Sequence, residues 1–238
     1  MKYRHEYRLL SSDVDMYRRL RLSRLFTLLQ EAAIAHTEQL GMGRDKTLDR
    51  GILWALAMRR IRVNRLPEYD ERIELTSWPG ETMHVLFPRY SRLTGEGGEV
   101  LAEGSALWIL MDAERRERVF PDEAGIHVPG MGAEGIPLPR ALKAPTVESV
   151  PFRVPYSWCD LNGHMNNARL PDLAEDIMPD ELRGRAIRQI EAEYLGEAMP
   201  GDLVQLRGAS DGNLFSLAVE KEKPLFRLRL EYAQMVTE

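Results

Sequence analysis

The chain has 238 residues, of which 44% are hydrophobic, and a formal net charge of −5. This length suits one large domain or two domains of ordinary size, and the composition argues against extensive disorder. The negative charge argues against general nucleic-acid binding, which depends on dense lysine and arginine surfaces. With neither an apolar leader nor a run of about 18 apolar residues, we expect a soluble protein. The single cysteine, Cys159, excludes an internal disulfide and favours a cytoplasmic location.

The first half predicts an extended segment, a helix and then four strands. After the extended segment at 2–11, apolar residues from Leu22 to Leu40 recur with helical spacing, with Ser23 as the expected N-cap and Gly41 as the expected stop. Turn signals then separate strand-like stretches at about 52–66, 71–78, 84–93 and 100–111. Short connections imply antiparallel pairing, and the helix is expected to cover the apolar face of the sheet.

A second copy of this pattern follows a proline-rich linker. Half of the 14 prolines lie between 121 and 155. At an offset of 145, Asp15 aligns with Asp160 and Arg24 with Arg169, and 61–66 matches 190–195 at an offset of 129. We therefore expect an α+β tandem hotdog fold, in which two antiparallel sheets each wrap around a helix and join edge to edge. The predicted parts are an N-terminal half at 1–120, a linker at 121–150 and a C-terminal half at 151–238.

The most informative segment is 156–167, where an Asp, an Asn and a His alternate before two asparagines. These residues are Asp160, Asn162 and His164. The first copy has Asp15, Tyr17 and Arg19 at the same positions. The second copy is therefore the expected catalytic half, because it alone keeps this Asp, Asn and His set.

Structural explanations compete with catalysis at this segment. Isolated Asx residues before a helix usually form turns and caps. By this explanation Asp160 and Asn162 form a turn, and Asn166 or Asn167 caps a helix. The joint presence of His164 and Glu197 favours catalysis. Cys159 is expected to point away from Asp160 if the segment is extended, which argues against a cysteine nucleophile.

Two segments resemble motifs of the acyl-ACP thioesterases of plastids and bacteria. Residues 158–167 are similar to the family's Asp-x-Asn-x-His-(Val/Met)-Asn-Asn pattern, and 193–198 are similar to its Glu-Tyr-x-x-Glu-Cys motif, with Ala198 in place of the cysteine. Segments 28–33, 77–79 and 107–108 are also similar. The resemblance implies hydrolysis of fatty acyl-[acyl carrier protein] (acyl-ACP) to free fatty acid and ACP, with water as nucleophile and with no metal or organic cofactor.

The resemblance also implies a role for each catalytic candidate. Glu197 or His164 orients and deprotonates water, Asn162 holds the water or the substrate, and Asp160 fixes the geometry of the Asn and the His. Such a site supplies a nucleophile and a base for thioester hydrolysis.

The substrate-binding candidates lie in both halves. Backbone N–H groups from Gly163 to Asn166, including Met165, are expected to be unpaired at a helix start and to polarise the thioester carbonyl, since a helix N-terminus carries roughly +0.5 charge. By resemblance the first half provides the acyl-chain pocket, and Trp54 and Trp108 are candidate lining residues.

Several alternatives stay open at this point. The motif also resembles that of acyl-CoA thioesterases, and a noncatalytic acyl-binding protein is a third interpretation. Monomer and homodimer are both compatible with a doubled chain. ACP is acidic, so one of two arginine runs is a candidate docking surface. The runs are Arg18, Arg19, Arg21 and Arg24, and Arg59, Arg60, Arg62 and Arg65.

Overall fold

A computed structural model describes residues 1–234 as an α+β fold built on one eleven-stranded antiparallel sheet. The first half contains β1 (Tyr3–Arg8), α1 (Leu22–Gln39), β2 (Ile52–Val63), β3 (Arg72–Pro79), β4 (Phe87–Gly95) and β5 (Val100–Asp112). Next come β6 (Arg118–Val119) and α2 (Pro121–Ala124). The second half contains β7 (Val150–Arg153), α3 (Leu170–Ile177), β8 (Ile187–Tyr194), β9 (Leu203–Asp211), β10 (Leu214–Glu220) and β11 (Pro224–Tyr232). In residues 1–234, no helix has the length and apolar character needed to cross a membrane.

The strand order is repeated about the centre of the sheet. It runs β1-β3-β4-β5-β2 and continues β8-β11-β10-β9-β7, so the second half repeats the first in reverse. The halves meet where β2 pairs antiparallel with β8, with Arg59 opposite Ala192 and Ile61 opposite Ile190. This pairing covers an edge of each half, which would otherwise present unpaired backbone groups.

The predicted first helix is confirmed, but its expected N-cap is wrong. The cap position of α1 is Arg21, and Ser23 lies inside the first turn, where its carbonyl accepts a hydrogen bond from Thr27 Oγ1 at 2.9 Å. The leucine-rich face of α1, with Leu25 and Phe26 at most 1% exposed, packs into the core. Gly41 follows the helix with φ +73°, a conformation that glycine adopts without steric cost.

The four predicted strands of the first half are confirmed, with ends that differ by at most three residues. The late start of β4 has a local cause: His84 has φ +56° in the tight turn that joins Met83 to Leu86. Both ends of the predicted linker carry structure, because α2 and β7 lie within the proline-rich stretch. Pro121 occupies the first turn of α2, where its missing N–H is not needed.

The described interior has three apolar clusters, of which one is a small group around Trp78. The other two contact the candidate site segment or its neighbours. The larger one joins both halves and includes Phe26, Leu170 and Phe215. The smaller one lies in the first half and is referred to as the tryptophan cluster; it includes Phe87 and Trp108, with Trp54 packed against it. Tyr194, at the end of β8, packs against both clusters and so links the second half to the tryptophan cluster.

Candidate functional site

Residues 160–164 form a tight turn that is closed by backbone hydrogen bonds. The Asp160 N–H donates to the His164 carbonyl at 3.1 Å, and the Gly163 N–H donates to the Asp160 carbonyl at 3.0 Å. Asp160 Oδ1 accepts the Asn162 N–H at 2.8 Å. Gly163 has φ +81°, and a Cβ there would meet nothing within 4 Å. Glycine is therefore favoured by the backbone conformation of the turn.

The first copy of the motif folds into the same turn. The Asp15 N–H donates to the Arg19 carbonyl at 2.7 Å, and Asp15 Oδ1 accepts the Tyr17 N–H at 2.9 Å. Arg18, at the position of Gly163, has φ +65°. The Arg19 guanidinium pairs with Asp15 at 3.1 Å and bonds the Gly184 carbonyl at 2.9 Å. The turn is thus retained in the first half, where a structural arginine occupies the histidine position.

His164 and Glu197 come together although 33 positions separate them in the chain. His164 Nε2 lies 3.5 Å from Glu197 Oε1, and the side chains are 13% and 32% exposed. His164 Nδ1 lies 3.1 Å from the Met165 carbonyl, which can only accept, so Nδ1 carries the proton. In the neutral ring, Nε2 is then unprotonated, and its lone pair faces the Glu197 carboxylate. A proton or a donor such as water can bridge the two acceptors.

A cation from the first half completes this pair. Arg116 Nη1 lies 3.2 Å from Glu197 Oε1. Arg116 belongs to the turn between β5 and β6, has φ +57°, and follows Asp112, whose Oδ1 accepts the N–H groups of Glu114 and Arg115. Arg116 was not among the residues predicted from the sequence. Its only local signal is the Asp-initiated turn, which does not reveal a partner in the other half.

The other predicted residues lie in different environments. Asn162 is exposed, and within residues 1–234 its side chain has no hydrogen-bond partner. Asn166 Oδ1 accepts the Ala168 N–H at 2.8 Å, so its side chain caps the short turn before α3. Met165 is 1% exposed within the larger apolar cluster. Of the catalytic candidates, only His164 and Glu197 have their side chains placed together.

The prediction that the backbone N–H groups from Gly163 to Asn166 are unpaired is wrong for three of the four. The N–H groups of Gly163, Met165 and Asn166 donate to the carbonyls of Asp160, Ala198 and Trp158 at 3.0, 2.8 and 2.9 Å. Within the described part of the chain, the His164 N–H is the one amide from 163 to 166 without an acceptor. The reason is that α3 begins only at Leu170, so this segment is a closed turn and does not form a helix start.

Cys159 is unsuited to act as a nucleophile. Desolvation and the neighbouring Asp160 carboxylate raise the pKa of its thiol, which disfavours the thiolate. The side chain packs against the larger apolar cluster, as expected for a residue that faces away from Asp160.

Tyr194 links the tryptophan cluster to Asn167, just beyond the 160–164 turn, which is the candidate catalytic turn. The Tyr194 hydroxyl donates to the Asn167 carbonyl at 3.2 Å, while its ring packs against the cluster. Trp54 meets Phe87 edge to face, with ring centroids 4.8 Å apart. Trp54 and Trp108 therefore lie together in an apolar cluster that Tyr194 connects to the segment after this turn.

An open groove of about 820 Å³ lies between the two copies of the turn. It is lined by Asp15 and Arg19 of the first copy, by Asp160 of the second, and by α3, including Glu175. Neither His164 nor Glu197 lines it. In residues 1–234, no group of three or more His, Cys, Asp or Glu side chains is arranged to hold a metal ion.

The arginine runs are not uniform surfaces. Arg59 is 3% exposed, which removes it from the candidate docking surface, whereas the Arg62 side chain is 67% exposed. In the earlier run, Arg24 pairs with Asp13 at 2.8 Å, and Arg19 is held by Asp15.

Comparison with known proteins gives a consistent family match. Residues 1–124 match the family model described as the acyl-ACP thioesterase N-terminal domain. A chloroplastic acyl-[acyl-carrier-protein] hydrolase of Cuphea viscosissima is 23% identical over 214 residues, which cover 82% of this chain and 52% of that protein. A chloroplastic dodecanoyl-[acyl-carrier-protein] hydrolase of Cinnamomum camphora is 24% identical over 266 residues, covering 99% of this chain and 69% of that protein. The chain spans about half the length of several curated relatives that it matches.

Solved structures match over almost the whole chain. An acyl-ACP thioesterase from Bacteroides thetaiotaomicron superimposes with a TM-score of 0.85 at 20% identity, covering 98% of each chain. A 12:0-ACP thioesterase from Umbellularia californica superimposes with a TM-score of 0.82 at 19% identity, also covering 98% of each chain. At these identities the superpositions establish a shared fold.

Proposed function

The chain belongs to the acyl-ACP thioesterase family, and we propose that it hydrolyses fatty acyl-ACP to free fatty acid and ACP. The observation that carries this proposal is the His164–Glu197 pair, with 3.5 Å between Nε2 and Oε1. A histidine lone pair and a carboxylate that face each other can together hold and deprotonate a water molecule.

In the proposed reaction, a water molecule forms hydrogen bonds to Glu197 and to His164 Nε2, and its oxygen attacks the thioester carbonyl carbon. Either Glu197 or His164 acts as the base and takes one proton from the water as the carbon–oxygen bond forms. The carbonyl oxygen becomes an oxyanion, for which the free His164 N–H and the exposed Asn162 amide are the proposed donors. Collapse of this intermediate breaks the carbon–sulfur bond, and the protonated base returns its proton to the leaving thiolate. Neither a metal nor an organic cofactor takes part in this scheme.

Asp160 and Arg116 are the proposed positioning residues. The Asp160 carboxylate holds the Asn162 backbone at 2.8 Å, and its amide holds the His164 carbonyl at 3.1 Å. Arg116 holds the Glu197 carboxylate from the other half at 3.2 Å. By this proposal both act on the geometry of the reacting groups without touching the substrate, and Gly163 allows the turn to form.

We also propose the tandem hotdog interpretation of the sheet, with halves at 1–120 and 151–238 and a linker at 121–150; residues 235–238 lie outside the described residues. The repeated strand order and the presence of α1 and α3 in equivalent places support it. The tryptophan cluster, with Trp54 and Trp108, is the proposed site of the acyl chain. A cytoplasmic location is part of the proposal and rests on the single cysteine.

The test is hydrolysis of an acyl-chain panel, offered as both acyl-ACP and acyl-CoA, by the wild type and by Glu197→Gln, His164→Ala and Asn162→Ala. Each of the first two changes should lower kcat about 10²- to 10⁴-fold, because each removes a group that holds or deprotonates water. The control is Glu96→Gln, which should leave activity unchanged. The Glu96 side chain is 70% exposed, and its carboxylate lies 3.7 Å from Arg72.

The outcomes separate three functions. Faster turnover of ACP thioesters supports the proposal, whereas faster turnover of CoA thioesters identifies an acyl-CoA thioesterase. Tight acyl binding without hydrolysis of either panel identifies an acyl-binding protein. Full activity in both Glu197→Gln and His164→Ala would overturn the catalytic assignment.

A further inference from the structure

One buried and one half-buried arginine line a small cavity between α1 and the sheet of the first half. Arg59 is 3% exposed; its Nη1 donates to the Phe26 carbonyl at 3.3 Å, and its guanidinium lies over the Phe26 ring at 4.8 Å. Arg89 donates to His36 Nδ1 and to Thr37 Oγ1, each at 3.0 Å. Within residues 1–234, neither guanidinium forms an ion pair with a carboxylate within 4.0 Å. Buried charges normally have such a partner, because an uncompensated charge is costly.

The adjoining histidine does not change this charge. Burial and the Arg89 cation lower the pKa of His36 to about 4, so its ring is neutral at pH 7. Since Nδ1 accepts from Arg89, Nε2 carries the proton and donates to the Met1 carbonyl at 3.1 Å. The region therefore holds two positive charges and no negative one from these neighbours.

The sheet register explains why a gap lies between the two arginines. Arg59 on β2 and Arg89 on β4 are both paired with Ala106 on β5. Neighbouring strands are about 4.8 Å apart, so the two arginine Cα atoms are roughly 10 Å apart across the small Ala106 side chain. All three residues line the cavity, which has a volume of about 10 Å³, close to the space that one water needs.

Within the part of the chain that the structure describes, the cavity wall also carries an unpaired donor, while Ser77 Oγ accepts a hydrogen bond from Arg89 at 3.3 Å. Trp108 lines it and is 8% exposed, and within the described residues its indole Nε1 has no acceptor. The hydroxyl groups of Ser77 and Ser105 donate to the carbonyls of Tyr90 and Pro137 at 3.3 and 2.7 Å. A group that brings only acceptors, and that carries negative charge, would satisfy both deficits. A carboxylate has these properties, with about four lone-pair sites.

This cavity adjoins the proposed acyl-chain region. Trp108 belongs both to the cavity wall and to the tryptophan cluster, and Tyr194 connects that cluster to Asn167 beside the catalytic turn. An acyl chain that passes from His164 through the tryptophan cluster would bring its last carbons to the two arginines. A terminal methyl group there would leave both guanidinium groups desolvated and unpaired.

We propose that the cavity between Arg59 and Arg89 binds a carboxylate at the far end of the acyl chain, so that the enzyme prefers ω-carboxyl acyl thioesters over methyl-ended ones. This inference rests on the proposed thioesterase function. Binding requires the cavity to widen at its wall, where Leu29 of α1 is half-buried.

The direct test measures binding without hydrolysis. The probes are amide analogues of acyl-pantetheine, matched in length from eight to sixteen carbons and ending in a methyl or in a carboxylate. Calorimetry with the wild type should show at least about tenfold tighter binding of a carboxylate-ended analogue, and Arg59→Met and Arg89→Met should each abolish that preference. The control, Arg72→Met, removes an exposed arginine of β3 and should retain it.

Two results would overturn the inference: methyl-ended analogues that bind the wild type as tightly at every length, or a preference that survives in both cavity variants. Arg59→Met should stay folded in thermal denaturation, because methionine in place of a buried cation is often neutral or stabilising.

Hydrolysis of ACP thioesters with the same two chain ends separates the proposals. No hydrolysis of either series, with the binding preference intact, rejects the thioesterase function alone. Faster hydrolysis of methyl-ended chains at every length rejects the carboxylate preference alone.

Discussion

Arg116 and Glu197 join the two halves of the molecule through an ion pair, with 3.2 Å between Nη1 and Oε1. Arg116 is presented by a turn at the end of β5, and Glu197 lies three residues beyond the end of β8. Because the central β2–β8 pairing sets the relative position of the halves, the same pairing sets the orientation of this carboxylate towards His164.

Replacing Arg116 by methionine should lower kcat/KM by up to about fivefold, the kinetic equivalent of about 1 kcal/mol for a half-exposed ion pair. The free energy of unfolding should change by less than about 1 kcal/mol. Steady-state kinetics and urea unfolding measure the two effects, with Arg115→Met as the matched control in the same turn. A loss beyond a hundredfold would mean that Arg116 contacts the substrate.

Gly163→Ala should destabilise the fold by roughly 1–2 kcal/mol, since φ +81° is unfavourable for a residue with a Cβ. Activity should be largely retained because nothing lies within 4 Å of the added atom. Gly163→Asn should cost less, because asparagine tolerates this conformation. Gly132→Ala is the control: it has equal space and no positive φ. Loss of activity in folded Gly163→Ala would show that the substrate passes over this Cα.

Cys159→Ser should hydrolyse substrate at the wild-type rate. The raised pKa of the thiol and its packing against the core both argue that Cys159 forms no acyl intermediate. Rapid-quench experiments with a radiolabelled acyl chain should accordingly find no label on the protein. Labelled protein that disappears in Cys159→Ser would contradict water as the nucleophile.

Stability should depend on pH through Glu175, which lies on α3 beside the groove. Burial, with help from the carboxylates of Asp172 and Asp15, raises the pKa of Glu175 to about 7. Its unfolded value is about 4.3, so the folded chain holds a proton that the unfolded chain has lost between these pH values. This contribution to stability is complete below about pH 4 and is lost as the pH rises through 7.

Glu175→Gln removes this titration. Between pH 4 and pH 8, its free energy of unfolding relative to the wild type should rise by an amount on the order of 3 kcal/mol. Urea unfolding at several pH values measures the free energy of unfolding of each protein. In the difference between variant and wild type, the contributions of titrating groups that both proteins share cancel. The exposed neighbour Asp176 provides the control variant Asp176→Asn. A difference that does not vary with pH would show that Glu175 titrates normally.

Local patterns were sufficient to predict α1 and the four strands of the first half. Helical spacing from Leu22 and turn signals such as Pro79-Gly80 depend on neighbours in the chain. The match between Asp15 and Asp160 likewise predicted a repeat, and both residues hold the same turn. The exact ends of helices were not predicted. Ser23 was expected to be the N-cap of α1, but the cap is Arg21, because the cap position depends on where the preceding segment enters the helix.

Contacts between distant segments could be seen only in the tertiary structure. The basic run that begins at Arg59 looks like a surface, but alternation along β2 turns Arg59 into the core and leaves Arg62 outside. Arg116 reaches Glu197 only because strands far apart in the chain pair with each other. The same is true of Arg59 and Arg89, which lie on either side of Ala106. Such pairings depend on how the whole sheet is assembled, and no short stretch of sequence contains that information.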